Sequence, residues 1–246
     1  MPAWKAFERI EGDARPPCAV LVCEHAARAI PLELSHLGLA AADLDSHAVW
    51  DIGGAALTRA LADRLRTPAL LGALSRLVYD CNRPPDAPSA MPAQVERIAV
   101  PGNENLDADA RATRTRLVYE PFHDAVADAL AATPGAALVT VHSFTPDWNG
   151  VPRSVEIGYL HDADARLARA MLRAGQGRRW DSRLNEPYSA ADGVTHTLAR
   201  HGAGCPSVMI EVRNDLLRDD AAVAAMADHL AAALTAALAA LEETQP

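Results

Sequence analysis

Two histidines in the sequence each come directly after an apolar run that predicts a buried strand. His25 ends the segment PCAVLVCEH, and His142 follows the run ALVTV, with Ser143 next in the chain. A histidine at the end of a strand can point into the crevice beside the sheet, where it can bind a metal ion or transfer a proton. Each could instead be a partly buried histidine that is bonded to a backbone carbonyl. Two histidines at corresponding strand ends strengthen the interpretation as metal ligands.

A carboxylate is expected to complete this metal site, because catalytic zinc usually has three protein ligands and one water. Asp51, in the segment HAVWDIGG, is the first candidate, and Glu24 is the second. Adjacent residues of a strand point to opposite faces, which makes an ion shared by Glu24 and His25 harder to build. Asp51 could also orient a histidine without touching the ion, and His47, one helical turn before it, could do either. Histidine and carboxylate ligands suit zinc and several other divalent ions.

Four polar side chains are concentrated in the segment SRLVYDCNR, namely Arg76, Asp80, Asn82 and Arg83. One interpretation is a structural ion pair of Asp80 with an arginine. The other is a clamp for a substrate carboxylate, because a guanidinium group binds this anion with two parallel hydrogen bonds. An arginine close to the metal would also polarise the scissile carbonyl and stabilise the oxyanion that develops on it.

A glutamate, Glu211, interrupts the apolar strand VMIEV. A buried carboxylate is costly unless it is paired or lies in a cleft. Arg213, two residues further along on the same face of the strand, could pair with it. The alternative is a general base whose pKa is raised by burial and which takes a proton from the attacking water.

Other catalytic chemistries have weaker support. Ser143 is not part of a G-x-S-x-G motif, which speaks against an α/β-hydrolase serine. Neither a G-x-G-x-x-G nor a P-loop motif is present, and Gly53-Gly54 is a weak signal by itself. No cysteine has the sequence context of a nucleophile. His123, in YEPFH on a predicted helix, could lie in the core, at the surface or at the rim of a pocket.

Short apolar runs, alternating with longer segments of helical period, must position these residues. Strands are predicted over 17–25, 136–144, 154–162 and 205–215, and one or two more over 67–83. Helices are predicted over 44–65 (capped by Asp43 or Asp45), 107–132, 163–174, 195–201 and 219–243, whereas 87–106 and 185–194 are irregular. This pattern indicates one α/β domain over residues 1–246, with a mixed, mainly parallel sheet flanked by helices. Active sites of such folds lie at the carboxyl ends of the strands.

The composition excludes several classes of partner. The 246 residues carry a formal net charge of −9 without a basic run or stripe, which speaks against nucleic acid. The N-terminal segment lacks the apolar core of a signal peptide, and apolar stretches fall short of the ~20 residues of a membrane span. The cysteines have no C-x-x-C spacing and fit buried thiols in a reducing cytoplasm: Cys18, Cys23, Cys81 and Cys205.

Taken in order, these segments resemble the N-formylglutamate amidohydrolase family over nearly the whole chain. The resemblance rests on CEHAARAIP, HAVWDIGG, SRLVYDCNRPP, an arginine-rich helix entering YEPFH, the strand end HSF, the loop NEPYSAADG and the strand IEVRNDL. The family is similar, more distantly, to the zinc carboxypeptidases and aspartoacylase. The resemblance therefore implies a zinc-carboxypeptidase-like fold of the phosphorylase/hydrolase-like type.

The resemblance also implies roles for the candidate residues. The segment DCNR is similar to the D-x-N-R segment with which those relatives bind a substrate carboxylate, so Asn82 and Arg83 would hold it here. By the same similarity Arg76 would stabilise the oxyanion. His25 and His142 would be the histidine ligands of zinc, and Glu211 would activate water.

One departure from the relatives concerns the carboxylate ligand. Zinc carboxypeptidases use an H-x-x-E motif, whereas the third residue after His25 is Arg28. The carboxylate ligand must therefore come from elsewhere, with Asp51 preferred. A second substrate carboxylate, such as that of glutamate, would be bound by Arg213 or by Arg114.

The implied activity is the zinc-dependent hydrolysis of N-formyl-L-glutamate to formate and glutamate, in the cytoplasm. An amidase or peptidase that acts on another small N-acylated or peptide substrate is an alternative of the same class. A non-catalytic binding protein that keeps the fold is an alternative of a different class. In each case the expected partner is a small acidic molecule, and the oligomeric state does not follow from the sequence.

Overall fold

A mixed β-sheet forms the centre of the computed structural model, which describes residues 4–14, 18–175, 177 and 179–243. The ends of the predicted domain (1–3 and 244–246) and the first residue of the strand predicted over 17–25 lie outside the described residues. The strands are β1 (Phe7–Ile10), β2 (Ala19–Cys23), β3 (Ala69–Gly72), β4 (Gln94–Val95), β5 (Ile98–Ala99), β6 (Ala137–Phe144), β7 (Asp147–Trp148), β8 (Val151–Pro152), β9 (Ile157–Leu160), β10 (Ser182–Leu184) and β11 (Ser207–Arg213). The helices are α1 (Gly54–Leu65), α2 (Ala108–Arg114), α3 (Glu120–Ala131), α4 (Arg166–Gly175), α5 (His196–His201) and α6 (Asp220–Glu242).

Seven of the described strands form the main sheet, in the order β1-β3-β2-β6-β11-β9-β10. The neighbours β3, β2, β6 and β11 run parallel, as do β9 and β10. Strand β1 pairs antiparallel with β3, and β9 pairs antiparallel with β11. This topology confirms the predicted mixed, mainly parallel sheet. Because β2, β6 and β11 are parallel neighbours, their carboxyl ends meet at one edge of the sheet.

Helices cover both faces of the sheet. Helices α1 and α4 pack on one face, with α6 packed against them, whereas α3 and α5 pack on the other. Along β6, Val139 belongs to the first core and Leu138 to the second, because successive side chains of a strand point to opposite faces. His142 continues the row of Leu138, and Glu211 continues the row of Met209. Both polar side chains therefore point to the face that α3 and α5 cover.

Helix α6 is long and apolar enough, by length and composition, to span a membrane, with a mean hydropathy of 1.6. The expectation that apolar stretches fall short of that length is therefore wrong for this segment. Its buried residues, among them Met226, Leu230 and Leu234, belong to the core that it shares with α1 and α4. Within its most apolar stretch, 44% of the residues are buried, so α6 packs one side against this core.

The helix predicted over 44–65 begins only at Gly54. The preceding residues form hydrogen-bonded turns, and the Asp51 N–H donates to His25 O (2.9 Å) at the end of β2. Gly53, with φ of 84°, occupies the left-handed region that favours glycine and is the N-cap residue of the helix, so neither Asp43 nor Asp45 caps it. The sequence around Asp51 has a helical period, but the hydrogen bond from Asp51 N to His25 O, after β2, keeps this segment out of the helix.

The segment predicted as strand over 67–83 contains one strand, β3, followed by turns. Ser75 stabilises these turns, because its hydroxyl donates to Val49 O (2.8 Å) and accepts from Leu77 N (3.1 Å). The backbone of β3 approaches β2 so closely that a Cβ at Gly72 would overlap Glu24 O. The chain after Gly72 therefore leaves the sheet beside the site-bearing end of β2.

The other predicted strands and helices agree with the structure to within a few residues at their ends. The long helix over 107–132 is divided by one π-turn, Thr115–Tyr119, and Asp107 caps its start. The short strands β1, β4, β5, β7, β8 and β10 were not predicted, because two to four residues are too few for a recognisable period. Strands β4 and β5 lie in the segment 87–106, which was expected to be irregular. The cysteines are free thiols, but only Cys23 and Cys81 are buried, whereas Cys18 and Cys205 are half-buried.

Candidate active site

A pocket of about 180 Å³ lies at the carboxyl ends of β2, β6 and β11. Sites for drug-sized ligands have volumes of roughly 300–1,000 Å³, so this one suits a small molecule. Seven of the residues that the sequence predicts for the site line this pocket: His25, Asp51, Arg76, Asn82, Arg83, His142 and Glu211. The candidates Glu24, Asp80, Arg114 and Arg213 do not line it.

Three potential ligand atoms converge in the buried floor of the pocket. His25 Nδ1 lies 3.2 Å from His142 Nδ1. Asp51 Oδ2 lies 2.9 Å from His142 Nδ1 and 3.4 Å from His25 Nδ1. Ligand atoms about 2.0–2.1 Å from a tetrahedral zinc ion lie about 3.3 Å from one another. The three separations therefore fit a zinc-sized divalent ion.

The other nitrogen of each imidazole faces a carboxylate. Asp80 Oδ1 is 2.7 Å from His25 Nε2, and Glu24 Oε2 is 3.0 Å from His142 Nε2. A neutral imidazole carries a proton on one nitrogen and a lone pair on the other, and a carboxylate beside Nε2 favours the proton there. The two Nδ1 atoms face each other and the Asp51 carboxylate, and against burial the charges of Glu24 and Asp51 raise the pKa of His142 well above its ordinary value, so this cluster attracts a proton or a metal ion. A cation between these groups removes their repulsion, so the residues present fit a metal ion.

Acidic side chains surround the two histidines in the interior: Glu24, Asp51, Asp80 and Glu211. Burial opposes the ionisation of each. The neighbouring imidazoles nevertheless hold the pKa of Glu24 at about 2, and the pKa values of Asp51 and Asp80 well below the ordinary range. Buried charges are stable only when they are paired or bind metal, so this floor is suited to cations.

Asp51 and Glu24, the two candidates for the carboxylate ligand, differ in their contacts. Asp51 Oδ2 lies beside both Nδ1 atoms and also accepts from Ser143 N (3.2 Å). Glu24 lies on the other side of His142, beside Nε2. The structure therefore brings Asp51 to the ligand cluster, while Glu24 contacts the cluster only through His142.

Glu211 of β11 is the in-register neighbour of His142 on β6 and lines the same pocket. Burial raises the pKa of Glu211 to about 7, against the opposing effect of the His142 imidazole. Its Oε2 atom has no hydrogen-bond partner among the described residues. The alternative pair with Arg213 does not form, because the guanidinium of Arg213 bonds to Asp215. The Glu211 carboxyl group can therefore exchange a proton near neutral pH.

Arg76 contacts two acidic residues of the pocket floor. Its Nη1 donates to Asp51 Oδ1 (3.3 Å), and its Nη2 donates to Asp80 Oδ2 (3.0 Å). Burial opposes its charge, but the two carboxylates keep its pKa above the ordinary value. A guanidinium has five N–H donors, so donors remain for a molecule in the pocket. Arg76 therefore both pairs with Asp80 and lines the cavity.

Asn82 and Arg83, the predicted carboxylate clamp, have different hydrogen-bond partners. The Asn82 side chain donates to Val194 O and accepts from Thr197 N (3.0 Å), so it ties this segment to the start of α5. Arg83 lines the pocket, where its Nη1 donates to Asn82 O (2.8 Å). Among the described residues no acidic side chain pairs with Arg83. Its charge is therefore available to an anion in the pocket.

Arg213 and Arg114, the two candidates for a second carboxylate, do not line the pocket. Arg213 Nε donates to Asp215 Oδ1 (2.8 Å). Arg114 Nη1 donates to Asn103 Oδ1 (2.6 Å) in the interior. The prediction that Arg213 contacts the substrate therefore has no support from the position of its side chain, since this charge is already paired.

Two histidines whose location the sequence left open now have defined surroundings. His47 lines the pocket outside the ligand cluster, and burial lowers its pKa to about 4. His123 is in the core, where Nε2 donates to Cys81 O (2.8 Å) and Nδ1 lies 2.8 Å from His201 Nε2. His123 therefore supports the turn around Cys81 from behind the pocket.

Sequence reasoning missed the aromatic side of the pocket, which Trp148 and Tyr188 form. Trp148 lies in the hairpin β7-β8, whose turn residues Asn149 and Gly150 have φ values of 52° and 82°. An Asn-Gly pair is a typical signal of a two-residue hairpin turn, so this signal could have located the hairpin. Tyr188 lies in an irregular loop that carries no comparable signal.

Comparison with known proteins identifies relatives of the whole chain. A sequence profile described as N-formylglutamate amidohydrolase matches residues 18–218. The structure of gene product Atu2144 from Agrobacterium tumefaciens is 44% identical with a TM-score of 0.92, and the match covers 97% of each chain. An N-formylglutamate amidohydrolase from Ralstonia eutropha JMP134 shares the fold at 17% identity and a TM-score of 0.68, over 97% of this chain and 99% of that one. No curated protein matches the sequence.

Proposed function

Because the chain belongs to the N-formylglutamate amidohydrolase family, we propose that it is a deformylase that hydrolyses the amide bond of N-formyl-L-glutamate with a bound divalent ion. The products would be formate and L-glutamate. One observation carries the proposal. The three ligand atoms of His25, Asp51 and His142 converge beside Glu211, whose pKa is raised to about 7, in one small pocket.

Zinc is the ion that we propose for the ligand cluster, because two imidazoles and one carboxylate are a common donor set of catalytic zinc. When bound, the ion would act as a Lewis acid toward the substrate carbonyl and would lower the pKa of water. Asp80 and Glu24 would keep the proton of His25 and His142 on Nε2, so that each Nδ1 lone pair stays available. Other divalent ions suit the same donors, and metal analysis distinguishes them.

Glu211 would transfer the proton of the reaction. Its carboxylate takes a proton from the water that attacks the formyl carbon, and it returns this proton to the amide nitrogen as the C–N bond breaks. A pKa of about 7 suits both steps near neutral pH. Arg76, which lines the pocket, would donate to the oxyanion that develops on the formyl oxygen.

Arg83 would hold the α-carboxylate of the substrate, because it lines the pocket and has no acidic partner among the described residues. A side-chain amide has two hydrogens, so Asn82 retains one for the same carboxylate while the other bonds to Val194 O. The net charge of −9 without a basic stripe supports a small-molecule partner rather than nucleic acid. The free cysteines support a cytoplasmic location.

Hydrolysis assays of the zinc-loaded protein test this function. We expect release of formate from N-formyl-L-glutamate and much slower cleavage of N-acetyl-L-glutamate and of a dipeptide. Preferred cleavage of either analogue would identify a different amidase or peptidase. A zinc-binding protein that cleaves none of them would be a binding protein.

A substitution of Glu211 tests its role in proton transfer. Glu211→Gln should lower kcat by about 10²–10⁴-fold, the usual contribution of general acid–base catalysis, while the zinc content stays the same. Glu120→Gln, which changes an exposed glutamate on α3, is the matched control. Unchanged turnover in Glu211→Gln would remove Glu211 from the reaction.

A further inference from the structure

Arg153 lies in a box of three aromatic rings at the side of the pocket. Its guanidinium carbon is 4.9 Å from the ring centroid of Tyr188, 5.0 Å from that of Trp148 and 5.5 Å from that of Phe144. Tyr188 and Trp148 both line the cavity. A guanidinium stacked on aromatic rings is held in a restricted orientation and keeps its charge. The rings therefore fix a cation beside the substrate cavity.

The charge of Arg153 is not paired with any acidic side chain among the described residues. Its side chain donates a long bond from Nη1 to Thr145 O (3.4 Å) and also bonds to the Tyr188 hydroxyl, so both of these partners are uncharged. Its backbone is fixed from both sides, because its N–H donates to Pro146 O (2.8 Å) and its carbonyl accepts from Arg213 Nη1 (3.0 Å). Arg213, neutralised by Asp215, thus positions the backbone of Arg153, whose own charge remains available.

The field of Arg153 reaches groups in the pocket wall. Burial raises the pKa of Tyr188, and the charge of Arg153 opposes this rise. Burial lowers the pKa of His47 to about 4, and Arg153 is one of the charges that lower it further. Both residues line the cavity, so an anion bound there would lie within the field of this arginine.

Arg83, from the turn after β3, lines the cavity, and Arg153, which follows β8, is stacked on the two rings that line it, Tyr188 and Trp148. Neither arginine has an acidic partner among the described residues. We propose that Arg153 binds the side-chain carboxylate of the substrate and makes the enzyme selective for N-acylated acidic amino acids. This assignment rests on the proposed function, in which Arg83 holds the α-carboxylate. It replaces the sequence-based candidates for the second carboxylate, Arg213 and Arg114.

Two substrates that differ in side-chain charge but hardly in shape test the proposal: N-formyl-L-glutamate and N-formyl-L-glutamine. In the unchanged protein, kcat/KM should favour the glutamate substrate. Arg153→Gln should lower kcat/KM for it by about 10²-fold, mainly through KM, and for the glutamine substrate by less than about threefold, because only a charge-assisted contact is lost. Arg153→Lys should restore part of the preference, because it keeps the charge.

The matched control is Arg179→Gln, which removes an exposed arginine stacked on Trp180 at 5.2 Å, away from the pocket. Equal losses for both substrates in Arg153→Gln would overturn the proposal, since they would indicate a structural role. A melting curve shows whether Arg153→Gln is folded. If it is not, the proposal is tested by the ratio of kcat/KM for the glutamate and glutamine substrates, measured in the unchanged protein and in Arg153→Lys. A preference below about threefold in the unchanged protein would overturn the proposal.

Failure of the proposed function has a separate signature, namely that the zinc-loaded protein cleaves neither substrate. The role of Arg153 is then measured by calorimetric binding of L-glutamate against L-glutamine. Stronger binding of L-glutamate that is lost in Arg153→Gln would support Arg153 even in a protein without turnover. Equal binding of the two amino acids would overturn it.

Discussion

Replacing Asp80 by asparagine removes one negative charge beside the metal-ligand cluster while it preserves the shape of the side chain. Asp80 Oδ1 accepts hydrogen bonds from His25 Nε2 (2.7 Å) and Asn82 N (2.9 Å), and Oδ2 accepts one from Arg76 (3.0 Å). All of its neighbours are donors. An asparagine must point its NH₂ group at one of them, so one donor is left facing another donor.

Either orientation of this amide has a defined cost. With its NH₂ toward Arg76, the buried guanidinium loses an acceptor. With its NH₂ toward His25, Nε2 must accept, and the proton moves to Nδ1, which is the proposed ligand atom. Loss of such an outer carboxylate typically lowers metal affinity by about 10–100-fold. This factor corresponds to about 1.4–2.7 kcal/mol.

Competition with a chromophoric chelator measures the zinc dissociation constant of Asp80→Asn and of the unchanged protein. The control is Asp181→Asn, because Asp181 pairs with Arg183 (2.9 Å) at the surface. Asp80 should act through His25, so in a His25→Ala background the second substitution should cause little further loss. Melting curves verify that each variant is folded.

An unchanged dissociation constant in folded Asp80→Asn would refute the reasoning. A full additional loss in the His25→Ala background would also refute it, because Asp80 would then act on the metal by a route other than this histidine.

The remaining predictions concern the second histidine ligand and the buried histidines behind the pocket. Glu24→Gln should also weaken zinc binding by about 10-fold or more, because the charge of Glu24, 3.0 Å from His142 Nε2, favours a proton on that nitrogen. The same titration measures the affinity, and an unchanged value would contradict the role. Burial lowers the pKa of His123 to about 3 and that of His201 to about 4. Both folded values lie below the unfolded value of about 6.5, so the unfolded chain binds more protons between these limits. Their contribution to stability is therefore complete above about pH 6.5 and is lost as the pH falls toward 4, by on the order of 1 kcal/mol per pH unit for His123. Glu211, whose pKa is raised to about 7, has the opposite effect on stability over this range, so urea denaturation at a series of pH values compares the protein with His123→Gln. A difference between the two that does not change from pH 6.5 to 4.5 would contradict the role of His123.

The fold class and much of the pocket could be predicted because their signals are local. An apolar run that ends in a polar residue identifies both a buried strand and a side chain at its carboxyl end. His142 and Glu211 were found in this way, and parallel pairing in register then makes them neighbours. His25 follows the same rule at the end of β2. The three residues lie together because the sheet places their strands side by side. Each of these strands can be recognised in the sequence by itself.

The sequence by itself therefore determined the chemical types at the site, the strands that carry them and the class of sheet. Only the tertiary structure decided which partner each charged side chain has. It brought Asp51 to the Nδ1 atoms of both imidazoles and Glu24 to the Nε2 atom of one of them, paired Arg213 with Asp215, and left Arg153 without an acidic partner among aromatic rings. These outcomes depend on hydrogen bonds and ion pairs between segments far apart in the chain, such as Asp51 N to His25 O. Periodicity and spacing describe neighbours along the chain, so they carry no information about which of several acids a distant base will meet.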